Sequence, residues 1–109
     1  MTFDEYEKAA KVFANYPETG RNMVYPALGL CSEAGEVADK LKKIMRDKGG
    51  IVTDSDREAI GKEVGDVMWY VAALCRELGL DMDYVAAQNL KKLESRAERG
   101  KIGGSGDDR

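Results

Sequence analysis

Apolar side chains recur along this chain every three or four positions, and no stretch alternates with the two-residue period of a strand. The longest stripe is Ala27, Leu30, Cys31, Ala34, Val37, Ala38, Leu41 and Met45. Pro26 stands just before it, where the first turn of a helix tolerates a missing N–H. The pattern predicts a helix from Pro26 to near Lys48, stopped by Gly49-Gly50. A shorter helix is expected from about residue 3 to about residue 15, opened by Thr2 and Glu5 as a capping box and closed before Pro17. Pro17 to Asn22 reads as a loop, and residues 49–54 read as a connector. Ser55 and Glu58 are the expected capping box of a third helix carrying Ile60, Val64, Val67, Val71, Leu74 and Leu78, with Gly79 at its C-cap. Asp81 or Asp83 opens a fourth helix through Val85, Ala86, Leu90, Leu93 and Ala97, ending near Gly100. The expected fold class is therefore all-α, four main helices in a bundle. Residues 1–99 form the domain, and residues 100–109 form a Gly-rich, flexible tail.

Charged positions change the picture at two places. Glu33-Ala34-Gly35-Glu36-Val37 in the second helix and Glu63-Val64-Gly65-Asp66-Val67 in the third share one frame: acid, apolar, Gly, acid, Val. Acids three apart lie on one side of a helix. On a wheel centred on Ile60, Val67, Leu74 and Leu78, Glu63 falls about 40° from the buried direction and Asp66 about 100° away. A carboxylate inside an apolar arc is costly unless its charge is compensated. Gly35 and Gly65, each costing about 1 kcal/mol against alanine mid-helix, suggest a close approach of the two helices. Such packing would let Glu33, Glu36, Glu63 and Asp66 converge. The plain alternative for Glu36 is an i, i+4 surface pair with Lys40.

The composition narrows the chemistry. The 109 residues include no histidine and two cysteines, and the net charge is −3. That removes Ser-His-Asp and Cys-His nucleophile systems and the usual zinc sites. The Glu-x-x-His di-iron bundle is removed as well. Four carboxylates without histidine make a hard-oxygen donor set, suited to Mg²⁺ or Mn²⁺. An acidic chain is a poor coat for a nucleic acid polymer, but it can hold a small nucleotide through a metal. The opening MTFDEYEKAA lacks a signal-peptide pattern, and no apolar run reaches the roughly 18 residues of a membrane span. The expectation is a soluble cytoplasmic protein with reduced thiols, without membrane partners.

These residues resemble the MazG-like nucleotide pyrophosphohydrolases of the all-α NTP pyrophosphatase superfamily. Tyr25-Pro26-Ala27-Leu28-Gly29-Leu30 leading into Glu33-Ala34-Gly35-Glu36-Val37-Ala38 is similar to the family's first motif, and Glu63 to Tyr70 to its second. Asn89-Leu90-Lys91-Lys92-Leu93 with Arg96, then Arg99-Gly100 and Gly104-Ser105-Gly106-Asp107, resembles the C-terminal segment of many members. The first motif departs in one respect: many members open it with two adjacent glutamates, and here the earlier position is Ser32.

The resemblance implies Mg²⁺-dependent hydrolysis of nucleoside triphosphates between the α and β phosphates, releasing a monophosphate and pyrophosphate. It makes Glu33, Glu36, Glu63 and Asp66 the metal ligands, and Glu33 or Glu36 the partner of the attacking water. Lys92 and Arg96, with Lys43 and Arg46 as further candidates, would hold the leaving pyrophosphate, Asn89 would bind substrate beside them, and Trp69 and Tyr70 would contact base or sugar. A homodimer or homotetramer is implied too. A dUTP- or dCTP-directed enzyme, a phosphoribosyl-ATP pyrophosphatase and a non-catalytic helical interaction module remain open. The bland readings are a solvated basic face for Lys92 and Arg96, and a core position for Trp69.

Overall fold

The computed structural model describes all residues, 1–109. It contains four helices and no strand: α1 (Phe3–Lys11), α2 (Val24–Lys48), α3 (Asp54–Glu77) and α4 (Met82–Glu98). The all-α reading therefore holds. No helix is long and apolar enough to cross a membrane.

The long helices α2 and α3 pack along each other as a hairpin, α1 lies against α3, and α4 lies against α1. The small core joins these layers. Ala72 and Cys75 of α3 meet Met82 of α4, with Tyr6 of α1 and Val71 packed around them. Arg76 of α3 pairs with Glu7 of α1 at 2.5 Å on the edge of that core. Both thiols are free, Cys31 exposed and Cys75 buried.

Helix ends follow local chemistry. Thr2 accepts from the Glu5 N–H at 3.0 Å, as expected. The start of α3 differs from the expectation. Thr53, in extended conformation, is the N-cap, and Thr53 and Asp56 form the reciprocal box. Ser55 and Glu58 lie inside the helix, exposed. Thr53 wins because Asp56 is also held by Lys48 at 2.8 Å, across the hairpin turn.

The first helix is shorter than its pattern predicted. After Lys11 the N–H groups of Phe13 and Ala14 donate to carbonyls only three residues back, tightening the chain into turns. This bend lets Tyr16 become buried and donate its hydroxyl to Glu77 of α3. Glu77 also accepts from the backbone N–H groups of Gly20 at 2.7 Å and Asn22 at 3.0 Å. One carboxylate thus fixes the whole loop before α2. Asn22 then accepts from the Tyr25 N–H at 3.1 Å and starts that helix.

Two facing helix starts cap each other. The Phe3 N–H donates to Asp83 at 3.1 Å, and the Asp83 N–H donates to Asp4 at 3.3 Å. Asp81 is the N-cap of α4. The carboxylates of Asp4, Asp81 and Asp83 cluster here because two helix N-termini point at them.

Candidate metal and phosphate site

The α2–α3 hairpin brings the two acidic frames side by side. Carboxylate oxygens of Glu33, Glu63 and Asp66 all lie within 4.8 Å of one another. Glu33 and Glu63 are half-buried, and Asp66 is exposed. Removal from water raises the Glu33 carboxyl above its ordinary range, and the charges of Asp66, Glu63 and Glu36 push it the same way. Glu36 lies one turn beyond Glu33, exposed and close enough to act on it, but its carboxylate is not among the three that converge.

The Glu63 charge, expected inside the apolar arc, is met by Lys40. Its Nζ lies 3.4 Å from Glu63 Oε1, and the Glu63 side chain is 19% exposed. Lys40 therefore pairs across the hairpin instead of with Glu36 on its own helix. One ammonium against three carboxylates leaves the cluster negative, and its donors are all hard oxygens. Both features fit Mg²⁺ or Mn²⁺.

The glycines of the two frames do not mediate close approach. A Cβ added at Gly35 or Gly65 meets nothing within 4 Å, whereas one at Gly29 would overlap the ring of Tyr70. The tight contact between α2 and α3 is thus one of backbone against an aromatic ring, at Gly29. Around it stand more aromatics. Tyr25 is stacked on Tyr16 with ring centroids 5.1 Å apart, and Tyr70 lies 6.4 Å from Tyr25. Trp69 is half-buried and meets Tyr70 edge-on at 5.1 Å. Burial raises the Tyr70 hydroxyl first, then Tyr25, and the charges of Glu33 and Asp66 add to it. Tyr70 is therefore beside the acids. Tyr6 of α1 also feels Asp66, after its own desolvation; no motif in the sequence singles out Tyr6.

The basic candidates sit elsewhere. Lys43 pairs with Asp39 at 2.7 Å and borders a shallow groove of about 200 Å³ with Lys40, Asp47, Lys48 and Asp56. Asn89 and Lys92 border another of about 290 Å³ on α4. Lys92 Nζ lies 2.7 Å from Asp107, and Arg96 is buried beneath the same residue. The α4 helix packs on α1 rather than along the α2–α3 hairpin. Within one chain, then, the structure joins Glu33, Glu63, Asp66 and Tyr70, it holds Lys92 and Arg96 of α4 against Asp107, and it puts Asn89 at the edge of the cavity between α3 and α4.

The sequence model of the MazG nucleotide pyrophosphohydrolase domain matches residues 26–100. That span holds both acidic frames and the basic positions of α4. The "Gene 37 protein" of Mycobacterium phage L5 is 46% identical over 114 aligned positions, covering all of both chains. Its name states no activity. No solved structure matches the chain.

Proposed function

The chain belongs to the MazG nucleotide pyrophosphohydrolase family, and from that premise we propose that it hydrolyses nucleoside triphosphates between the α and β phosphates. The products are a nucleoside monophosphate and pyrophosphate. The observation that carries this reading is the convergence of Glu33, Glu63 and Asp66 from two helices.

Those three carboxylates, with Glu36 one turn away, would hold Mg²⁺, with Mn²⁺ as a substitute. When bound, the metal offsets phosphate charge and makes water more acidic. Glu33 or Glu36 would orient the attacking water and take its proton, since the chain has no histidine. Glu36 is exposed and outside the three-carboxylate cluster, so its oxygens are free for that role. Ser32, whose hydroxyl donates to the Gly29 carbonyl at 3.1 Å, can hydrogen-bond water but cannot accept its proton. Tyr70 and Trp69 offer an apolar wall beside the acids for the base or sugar.

Lys92, Arg96 and Asn89 would receive the phosphates, with Lys43 at the end of the hairpin. The packing of α4 on α1, with Lys92 and Arg96 held at Asp107, supports a homodimer or homotetramer, in which α4 of a second copy faces the acids. The dUTP- or dCTP-directed and phosphoribosyl-ATP readings differ from this one only in the base and sugar accepted.

The test is a panel of ribo- and deoxynucleoside triphosphates with Mg²⁺, assayed for monophosphate and pyrophosphate. Release of orthophosphate and diphosphate instead would refute α–β cleavage. Glu63→Gln is expected to lose metal binding and activity while its helical circular dichroism is retained. Glu36→Gln should lower turnover by about 100-fold or more if it is the base. Full activity in Glu63→Gln would refute the carboxylate site.

A further inference from the structure

The segment after α4 doubles back onto that helix. Gly100 turns with φ 67, and the Lys101 N–H donates to the Arg96 carbonyl at 2.6 Å. Asp107 then reaches both cations of α4. Its Oδ1 lies 2.7 Å from Lys92 Nζ and 3.2 Å from Arg96 Nη2. Arg96 Nη2 donates in addition to the backbone carbonyl of Asp107.

Arg109 shapes the returning loop. Its Nε donates to the carbonyls of Lys101 at 3.1 Å and Gly103 at 3.0 Å. Nη1 donates to Gly106 at 2.6 Å, and Nη2 donates to Ile102 at 2.9 Å. The Arg109 carbonyl accepts from Arg99 at 2.8 Å. Ile102, the one large apolar residue of the segment, is 53% exposed. The segment is therefore held by charge and hydrogen bonds rather than by buried apolar area.

Arg96 is poorly used by this arrangement. It is 6% exposed, yet its Nε has no hydrogen-bond partner. Asp107 engages only Nη2 of the guanidinium fork, and its side chain is 79% exposed. A phosphate oxygen pair would engage Nε and Nη2 together and still reach Lys92. A buried guanidinium with an unsatisfied N–H is thus better matched to a phosphate than to the carboxylate resting on it.

We propose that residues 101–109 form a displaceable latch, in which Asp107 occupies the anion subsite of Lys92 and Arg96 until a polyphosphate takes its place. This rests on the reading above that Lys92 and Arg96 receive phosphate. The latch keeps the two cations paired when no substrate is present. Binding exchanges one carboxylate for a group of higher charge with more acceptor oxygens, and the freed segment leaves the face of α4.

The experiment uses the full chain, a chelator to remove metals, and inorganic pyrophosphate as probe. Metal-free conditions read the basic subsite apart from the carboxylates, and no turnover is needed. By calorimetry, Asp107→Ala is expected to bind pyrophosphate about fivefold tighter than the parent chain, because the internal competitor is gone. Fivefold is about 1 kcal/mol at 1.4 kcal/mol per decade, the upper range of an exposed ion pair. In the parent chain, the amide resonances of Gly103, Gly104 and Gly106 should narrow to those of a mobile segment as pyrophosphate saturates. Lys92→Ala should free the same amides without pyrophosphate and bind pyrophosphate more weakly. Equal or weaker binding by Asp107→Ala, or tail amides unchanged at saturation, would overturn the latch. A chain that hydrolyses no triphosphate but shows the tighter binding and released tail would refute the enzymatic reading alone. A chain that hydrolyses triphosphate with no such response would refute the latch alone.

Discussion

A methyl group on Gly29 has no room, because it would enter the van der Waals envelope of the Tyr70 ring. Gly29→Ala should force that ring aside and destabilise the chain by about 1–3 kcal/mol, the usual cost of overpacking. Gly35 and Gly65 are in the opposite situation, with open space where a Cβ would go. Gly35→Ala should raise stability by up to about 1 kcal/mol through helix propensity. Urea unfolding of the two variants checks both signs at once. The pair also marks what single residues disclose. The sequence shows that Gly35 and Gly65 are equivalent positions in a repeated frame, and that frame does bring Glu33, Glu63 and Asp66 together. It cannot show which glycine faces the neighbouring helix, since that depends on the rotation of α2 against α3. Lys40 makes the same point. Its spacing permits a pair with Glu36, and only the packing directs it to Glu63.

At the scale of elements, apolar spacing located all four helices, while their ends were decided by partners far away in the chain. The turn that shortens α1 serves Glu77, which holds Tyr16, Gly20 and Asn22. No window of neighbouring residues contains that interaction. Glu77→Ala should leave α2 and α3 helical but loosen the loop before α2, so that trypsin cleaves at Arg21 faster than in the parent chain. Asp56 gives a test of the α3 start. Lys48 foremost, then the Thr53 contacts, lowers its carboxyl from 3.8 to about 2. A folded-state value below the unfolded one adds stability that is complete above about pH 4. That contribution is lost as pH falls from there toward about 2. Asp56→Asn should therefore be less stable than the parent at neutral pH. The gap between the two chains should close across that acid window. Thermal unfolding of both chains at several pH values from 2 to 7 measures it, and a constant gap would contradict the assigned role.

The whole molecule is open for its length. Its Cα radius of gyration is 16.8 Å, where a compact chain of this size has about 13 Å. Seven apolar residues form its buried core, whereas Phe13, Leu28, Met45 and Leu90 are each 60% or more exposed. The α4 helix leans on α1 and diverges from α3, leaving between them an apolar cavity of about 310 Å³ bordered by Phe3, Met68, Val71, Met82, Val85 and Ala86. A chain that stayed alone would keep all of this surface in water, which soluble monomers seldom do. The proposed homo-oligomer covers it, and the covering surface would be the same face of a second copy, as two-fold symmetry requires. The parent chain should therefore sediment at two or four times its 12.0 kDa. Val85→Glu places a charge in the cavity, on a residue outside the carboxylate cluster. It should sediment as the single chain with its helix content retained. If the cations of α4 serve the acids of the other copy, that dissociated variant should lose triphosphate hydrolysis while keeping metal binding at Glu33, Glu63 and Asp66. A Val85→Glu chain that sediments alone and hydrolyses at the parent rate would show that one chain completes the site by itself.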